Sequence, residues 1–361
     1  MKLLVDISIG LNIAGVILGV LLAIAVYNRT SGNLQANKWL SLLLIALSIM
    51  ILNSAIVLSG NASMLFFYED LSNATILTVG PLIFAYVRAL ASGHFDWKQL
   101  RPHLSPFFGY LVFVLIYHLS ELITTGAKDN IDVVAFLIMN VQVLIYLAVS
   151  LKALSKHSRR IKENYSYIEK RDLHWIRTTL VVFVCVYYTS MVLVIMSELV
   201  LPIPDAVKLN TVLLFSFSIY YLGYRKLNEA EVVPPPERPK YQSSTLSEAE
   251  SESYLGILKT AMRNDKMYLQ SDLSIAQLAE YLNVQSRHIS QVINQQLDEN
   301  FHDFVNKYRV DEVKLRITNP EFQHLTIVGM ALESGFKSRS AFQTAFKKHT
   351  GMTPSAYKSS I

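Results

Sequence analysis

LSIAQLAEYLNVQSRHISQVINQQL, residues Leu273–Leu297, decides the fold of the C-terminal part of the chain. Ser274 is a good helix N-cap, and Gln277 three residues on completes a capping box. Leu273 and Leu278 stand where a hydrophobic staple would form. This first helix is expected to end near Leu282, and Asn283 tolerates the left-handed conformation of a tight turn. A second helix is expected from about Ser286 to Gln296, with Ile289, Val292, Ile293 and Leu297 facing inward. Arg287, His288, Ser290, Gln291 and Asn294 are then left facing outward. Two short helices about a tight turn, the second polar on its free face, form the helix-turn-helix pattern. Its second helix fits the major groove, about 12 Å wide, where side chains read base edges. The same pattern also packs in cores that never meet nucleic acid.

The pattern recurs downstream. FHDFVNKYRVDEVKLRI, from Phe301 to Ile317, reads as a long connecting helix with Phe301, Phe304, Val305 and Tyr308 inward, and Pro320 lies just beyond it. Thr326 caps a helix in IVGMALESG, and Gly335 makes the turn. SRSAFQTAFKKH is then a second reading helix, with Phe342, Ala345 and Phe346 inward. Arg339, Ser340, Gln343 and Thr344 point outward, Lys347 and Lys348 are placed to meet phosphates, and Gly351 stops the helix. An amphipathic helix over Tyr254, Leu255, Ile257, Leu258, Ala261 and Met262 precedes both units.

The segment GFKSRSAFQTAFKKHTGMTPSAY, from Gly335 to Tyr357, resembles the terminal signature of AraC/XylS transcription regulators. The resemblance rests on Gly335-Phe336, Phe342, Phe346-Lys347-Lys348, Gly351, Thr353-Pro354 and Tyr357. Upstream, Ile275, Leu278-Ala279, Ile289-Ser290, Phe301, Tyr308-Arg309 and Ile327 fall at the family's spacings. It implies two helix-turn-helix units on one linker helix, reading successive major grooves of double-stranded DNA. By position, Arg287, Gln291, Arg339, Ser340, Gln343 and Thr344 match the family's base-contacting places. The chain departs from the pattern at Gln285, where a capping Ser is usual, at Val313, at Arg316 and at Gly329.

Outward from this domain the composition changes. Of 361 residues 52% are hydrophobic and 17% charged, and charge is scarce before about residue 225. The formal net charge is +5, yet acidic and basic residues are equal in number from Tyr241 onward. Net charge alone therefore does not point to nucleic acid. The segment RKLNEAEVVPPPERPKYQSSTLSEAESES, with three consecutive prolines, reads as a boundary. The expected organisation is a membrane domain over 1–226, a linker over 227–252 and a DNA-binding domain over 253–361.

A span needs roughly 20 apolar residues, and only helices satisfy their backbone alone in lipid. Seven stretches qualify or nearly so: Ile7–Tyr27, Trp39–Leu58, Thr75–Ala91, Leu104–Leu119, Ile131–Leu151, Ile176–Leu201 and Val207–Tyr224. The fold class expected is all-α, a seven-helix bundle followed by a double helix-turn-helix domain. Lys/Arg collect after the first, third, fifth and seventh stretches, most densely from Lys152 to Arg171. By the positive-inside rule the N-terminus is outside a cytoplasmic (inner) membrane and the C-terminal domain is in the cytoplasm.

Polar residues in such spans are costly. His118, Glu121 and Glu198 lie toward the outer side and are candidates for sensing a small molecule or membrane signal. The simpler reading, and the favoured one for any single residue, is interhelical hydrogen bonding or exposure at a helix end. Gly15-Val-Ile-Leu-Gly19 allows close helix approach, within the bundle or in a homodimer. The histidines lack metal-ligand spacing, and neither a Gly-rich phosphate loop nor a nucleophile elbow is present. No enzyme activity and no cofactor is expected. The alternative reading is a transporter or sensor whose C-terminal helical domain is a protein-binding adaptor.

Overall fold

A computed structural model describes residues 2–60, 66–119, 126–169, 171–199, 217, 220–228 and 246–361. Among these every regular element is helical, and an isolated antiparallel bridge joins Tyr165 to Ser274. The chain divides into two compact units. The first comprises residues 1–156 and 173–234, the second residues 157–172 and 235–361.

The first unit holds α1 (Lys2–Tyr27), α2 (Leu34–Leu58), α3 (Phe66–Ser92), the single turn α4 (Trp97–Leu100), α5 (Ser105–Leu119), most of α6 (Gly126–Asn164), α7 (His174–Leu199) and α8 (220–228). α2 lies at its centre, with Leu40, Leu43, Leu44, Leu47 and Ile51 fully buried. Its N-cap, Asn33, accepts from the amides of Gln35 and Ala36 and donates to the carbonyls of Ala89 (2.7 Å) and Gly93 (3.1 Å). One side chain therefore starts α2 and fastens it to the end of α3. Trp39 Nε1 donates to the Phe95 carbonyl at 2.9 Å and reinforces that seam.

The glycine pair of α1 packs inside this unit. A Cβ on Gly19 would strike Ser48 Oγ of α2 and Tyr220 Oη of α8, the latter at 2.7 Å, and Tyr220 Oη donates to the Gly15 carbonyl at 2.8 Å. Small residues here let α1 approach its neighbours. The outer side of α1 carries Ile7, Leu11, Ile17, Leu21 and Ile24, all about half exposed. Such a continuous apolar face suits a non-aqueous neighbour rather than water.

Four described helical stretches are long and apolar enough to cross a membrane: Lys2–Tyr27, Leu34–Leu58, Asp70–Ser92 and Ile138–Asn164. They carry the first, second, third and fifth expected spans. The fourth expected span falls on α5, which is described as far as Leu119. The sixth falls on α7, and most of the seventh lies outside the described residues.

Candidate nucleic-acid interface

The second unit contains α9 (Glu248–Arg263), α10 (Ile275–Tyr281), α11 (Ser286–Gln296), α12 (Phe301–Thr318), α13 (Ile327–Glu333), α14 (Arg339–Thr350) and α15 (Pro354–Ser359). α9 begins inside the stretch expected to be linker. Ser247 and Glu250 form a capping box there, and Ser251 is buried. Ile257, expected on the inner face of α9, is 41% exposed.

α10 and α11 form as the residues dictate. Ser274 Oγ accepts from the Gln277 amide at 3.3 Å, and Gln277 Oε1 accepts from the Ser274 amide at 2.8 Å. Asn283 turns the chain with φ +54°. Gln285 occupies the N-cap of α11 without a side-chain capping bond, so the departure from Ser leaves that helix start less secured. The second helix-turn-helix repeats the plan, with Thr326 capping α13, Gly335 in the turn at φ +91° and Ser338 capping α14.

α12 joins both halves. Its Phe301, Phe304 and Val305 enter a core with Leu278, Ile289 and Ile293, while Val310, Val313 and Ile317 enter a second core with Met330, Phe342 and Phe346. Arg309 lies between them, 1% exposed. Its Nε donates to the Tyr268 carbonyl (2.8 Å), Nη2 to the Gln270 carbonyl (2.7 Å) and Nη1 to Asn306 Oδ1 (3.1 Å). Burial lowers its pKa to about 9, which leaves it charged at neutral pH. Gly335 closes against the same place, because a Cβ there would meet the Tyr268 carbonyl, the Leu269 carbonyl at 2.9 Å and Arg309 Nε at 3.0 Å. Sequence reasoning missed this clamp. The sequence places Tyr308-Arg309 at a family spacing but does not show this role.

The structure places the expected contact residues unevenly. Arg287, Arg339, Ser340, Gln343, Thr344, Lys347 and Lys348 are exposed, and Gln291 is half-buried. Arg339, Gln343, Thr344 and Lys347 line one depression. His288 is half-buried and stacks on Tyr254, with ring centroids 5.5 Å apart. Ser290 corrects the sequence reading, because it is 5% exposed and does not face outward. At 3.6 residues per turn it lies only about 20° from Leu297 around the helix, on the inner face. Lys348 also has an intramolecular role: Nζ lies 2.6 Å from Asp303 Oδ2, across an ion pair to α12. Ser340 donates its hydroxyl to Glu169, a residue outside the sequence-predicted domain. Of the sensing candidates, Glu121 lies outside the described residues, as do the side chains of His118 (on α5) and Glu198 (on α7).

Residues 278–360 match a family model described as a helix-turn-helix domain. The C-terminal unit carries an AraC-type helix-turn-helix domain. Over 93 residues the chain is 33% identical to an uncharacterized HTH-type transcriptional regulator of Staphylococcus aureus strain COL, a match covering 26% of this chain and 12% of that protein. A homologue from strain MSSA476 is 32% identical over the same coverage. The chain thus spans about an eighth of the length of these curated relatives. A solved Listeria innocua protein of unknown function aligns with 29% of this chain and 94% of its own length, at 24% identity and a TM-score of 0.25.

Proposed function

We propose that the protein is a membrane-anchored, one-component transcription regulator that binds double-stranded DNA through its two helix-turn-helix units. What supports this is the sharing of α12 by two cores, which holds the polar faces of α11 and α14 on one scaffold. Direct base readout falls to Arg287, Gln291, Arg339, Gln343 and Thr344, and phosphate contact to Lys347. The apolar helices of the first unit anchor the chain in the cytoplasmic membrane, with the helix-turn-helix domain in the cytoplasm. A small molecule or membrane signal biases that bundle between two arrangements, through a difference in its affinity for them. Pairing as a homodimer adds phosphate contacts that one domain of balanced charge lacks.

The test is binding of the full-length protein, in lipid nanodiscs, to duplexes recovered by genome-wide crosslinking. Arg287→Ala and Arg339→Ala are expected to lower discrimination against scrambled duplexes by about 10–100-fold each, with the fold retained. Equal, weak binding to every duplex by the wild-type chain would instead favour a protein-binding adaptor.

A further inference from the structure

Residues 165–169 and 171, in the connection between α6 and α7, pack as part of the second unit rather than the first. The contact is built from several independent bonds. The Ser166 amide donates to the Leu273 carbonyl at 3.0 Å, beside the bridge from Tyr165 to Ser274. Ser166 is 2% exposed, and its hydroxyl accepts from Arg309 Nη2 at 3.1 Å. Its carbonyl accepts from His302 Nδ1 at 2.7 Å. Arg171 Nη1 pairs with Asp272 at 3.2 Å, and Lys337 Nζ sits 5.2 Å from the centroid of the Tyr167 ring.

The end of this segment reaches the start of α14. Glu169 accepts from the Ser338 hydroxyl at 2.6 Å on one carboxylate oxygen and from the Ser340 hydroxyl on the other. Tyr167 Oη also donates to it, at 3.2 Å. Ser338 is the N-cap of α14, so the carboxylate occupies the positive end of the helix dipole. DNA phosphates seek such a place: hydroxyl donors at the amino end of a reading helix.

We propose that residues 165–169 are an intramolecular plug, secured also by Arg171, and that Glu169 competes with a DNA phosphate for Ser338 and Ser340. The plug thereby holds the second reading helix off the duplex. Burial by itself would raise the Glu169 carboxyl, but the bonds from Ser338, Ser340 and Tyr167 outweigh it and hold the group below its ordinary range. Glu169 is therefore an anion at neutral pH, and it also repels phosphate. Because the plug is continuous with α6 and α7, a rearrangement of those helices is transmitted directly to the DNA-contacting edge. This rests on the DNA-binding function proposed above.

The test uses full-length protein in nanodiscs and duplexes selected from a random-sequence pool, once on wild type and once on Glu169→Ala. Anisotropy measures affinity, and hydrogen exchange follows the 165–169 peptide. Glu169→Ala is expected to tighten duplex binding about tenfold, the scale of a lost charge-assisted contact. Ser166→Val, which frees the plug without changing net charge, is expected to tighten it in the same direction. Duplex added to wild type is expected to speed exchange at 165–169. Tightening by Glu169→Ala alone would mark a bulk charge effect and overturn the plug. So would unchanged affinity in both variants with unchanged exchange, while leaving DNA binding intact. Failure of both selections to yield any duplex would overturn the DNA-binding reading, and the plug with it.

Discussion

Gly335 and Arg309 show how much of the helix-turn-helix domain depends on single side chains. Gly335 combines a left-handed backbone with contact against two carbonyls, so a methyl group meets both a strained φ and no space. Gly335→Ala is expected to destabilise the second unit by about 2–4 kcal/mol, seen as lost hydrogen-exchange protection in both α10 and α14. Equal protection in the two proteins would mean the turn relaxes freely. His302 makes a second residue-scale prediction. Its Nδ1 donates to the Ser166 carbonyl, and Asn306 Nδ2 stands 3.3 Å from Nδ1 and 3.1 Å from Nε2, over the ring. Burial lowers its pKa to about 4, with Asp303 opposing the shift and Lys162 and Arg309 adding to it. The folded-state pKa lies below the ordinary 6.5, so the stabilisation is complete above that value and is lost as pH falls toward 4. The second unit is expected to lose up to about 3 kcal/mol across that window, and His302→Gln is expected to flatten the dependence in exchange measurements run at several pH values.

At the level of elements, α11 and α14 look alike in sequence but not in their surroundings. By sequence alone Lys347 and Lys348 are equivalent as phosphate contacts. In the structure Lys347 is exposed beside Arg339 and Gln343, while Lys348 pairs with Asp303. Burial raises the Asp303 carboxyl, but Lys348 and Asn300 outweigh it and keep it charged. Lys347→Ala is expected to weaken binding uniformly across sequences and reduce the salt slope by about one. Lys348→Ala is expected to leave that slope nearly unchanged and to loosen the packing of α14 on α12. Titrating affinity against salt for both variants separates the two roles. Caps, turns and apolar stripes were legible in the sequence because each is fixed by residues within a few positions. The Asp303–Lys348 pair, the Arg309 clamp and the burial of Ser290 were not. The first two join residues far apart in the chain, and the last turns on about 20° of helix rotation.

At the scale of the whole molecule, the least legible feature was the membership of residues 157–172. Their basic run, Arg159, Arg160, Lys162 and Arg171, reads as a loop on the cytoplasmic side, and nothing local ties it to residues a hundred positions later. Its packing against the helix-turn-helix domain now constrains the topology independently of charge. Under the proposed membrane anchoring, the chain leaves the second unit at Asp172 and returns to it at Pro235. Both points lie in one compartment, so the number of crossings between them is even. α7, with 26 residues, is long enough for one crossing. If α7 crosses, even parity calls for one more crossing before Pro235, and the sequence expectation assigns it to Val207–Tyr224. Alkaline phosphatase, active only outside the cytoplasm, tests this directly. Fusions after Ile168 and after Ile361 are expected to be inactive, and a fusion between α7 and α8 active. An inactive fusion at that middle position, with the full-length protein inserted, would mean that α7 turns back without crossing, and the count of spans would fall by two.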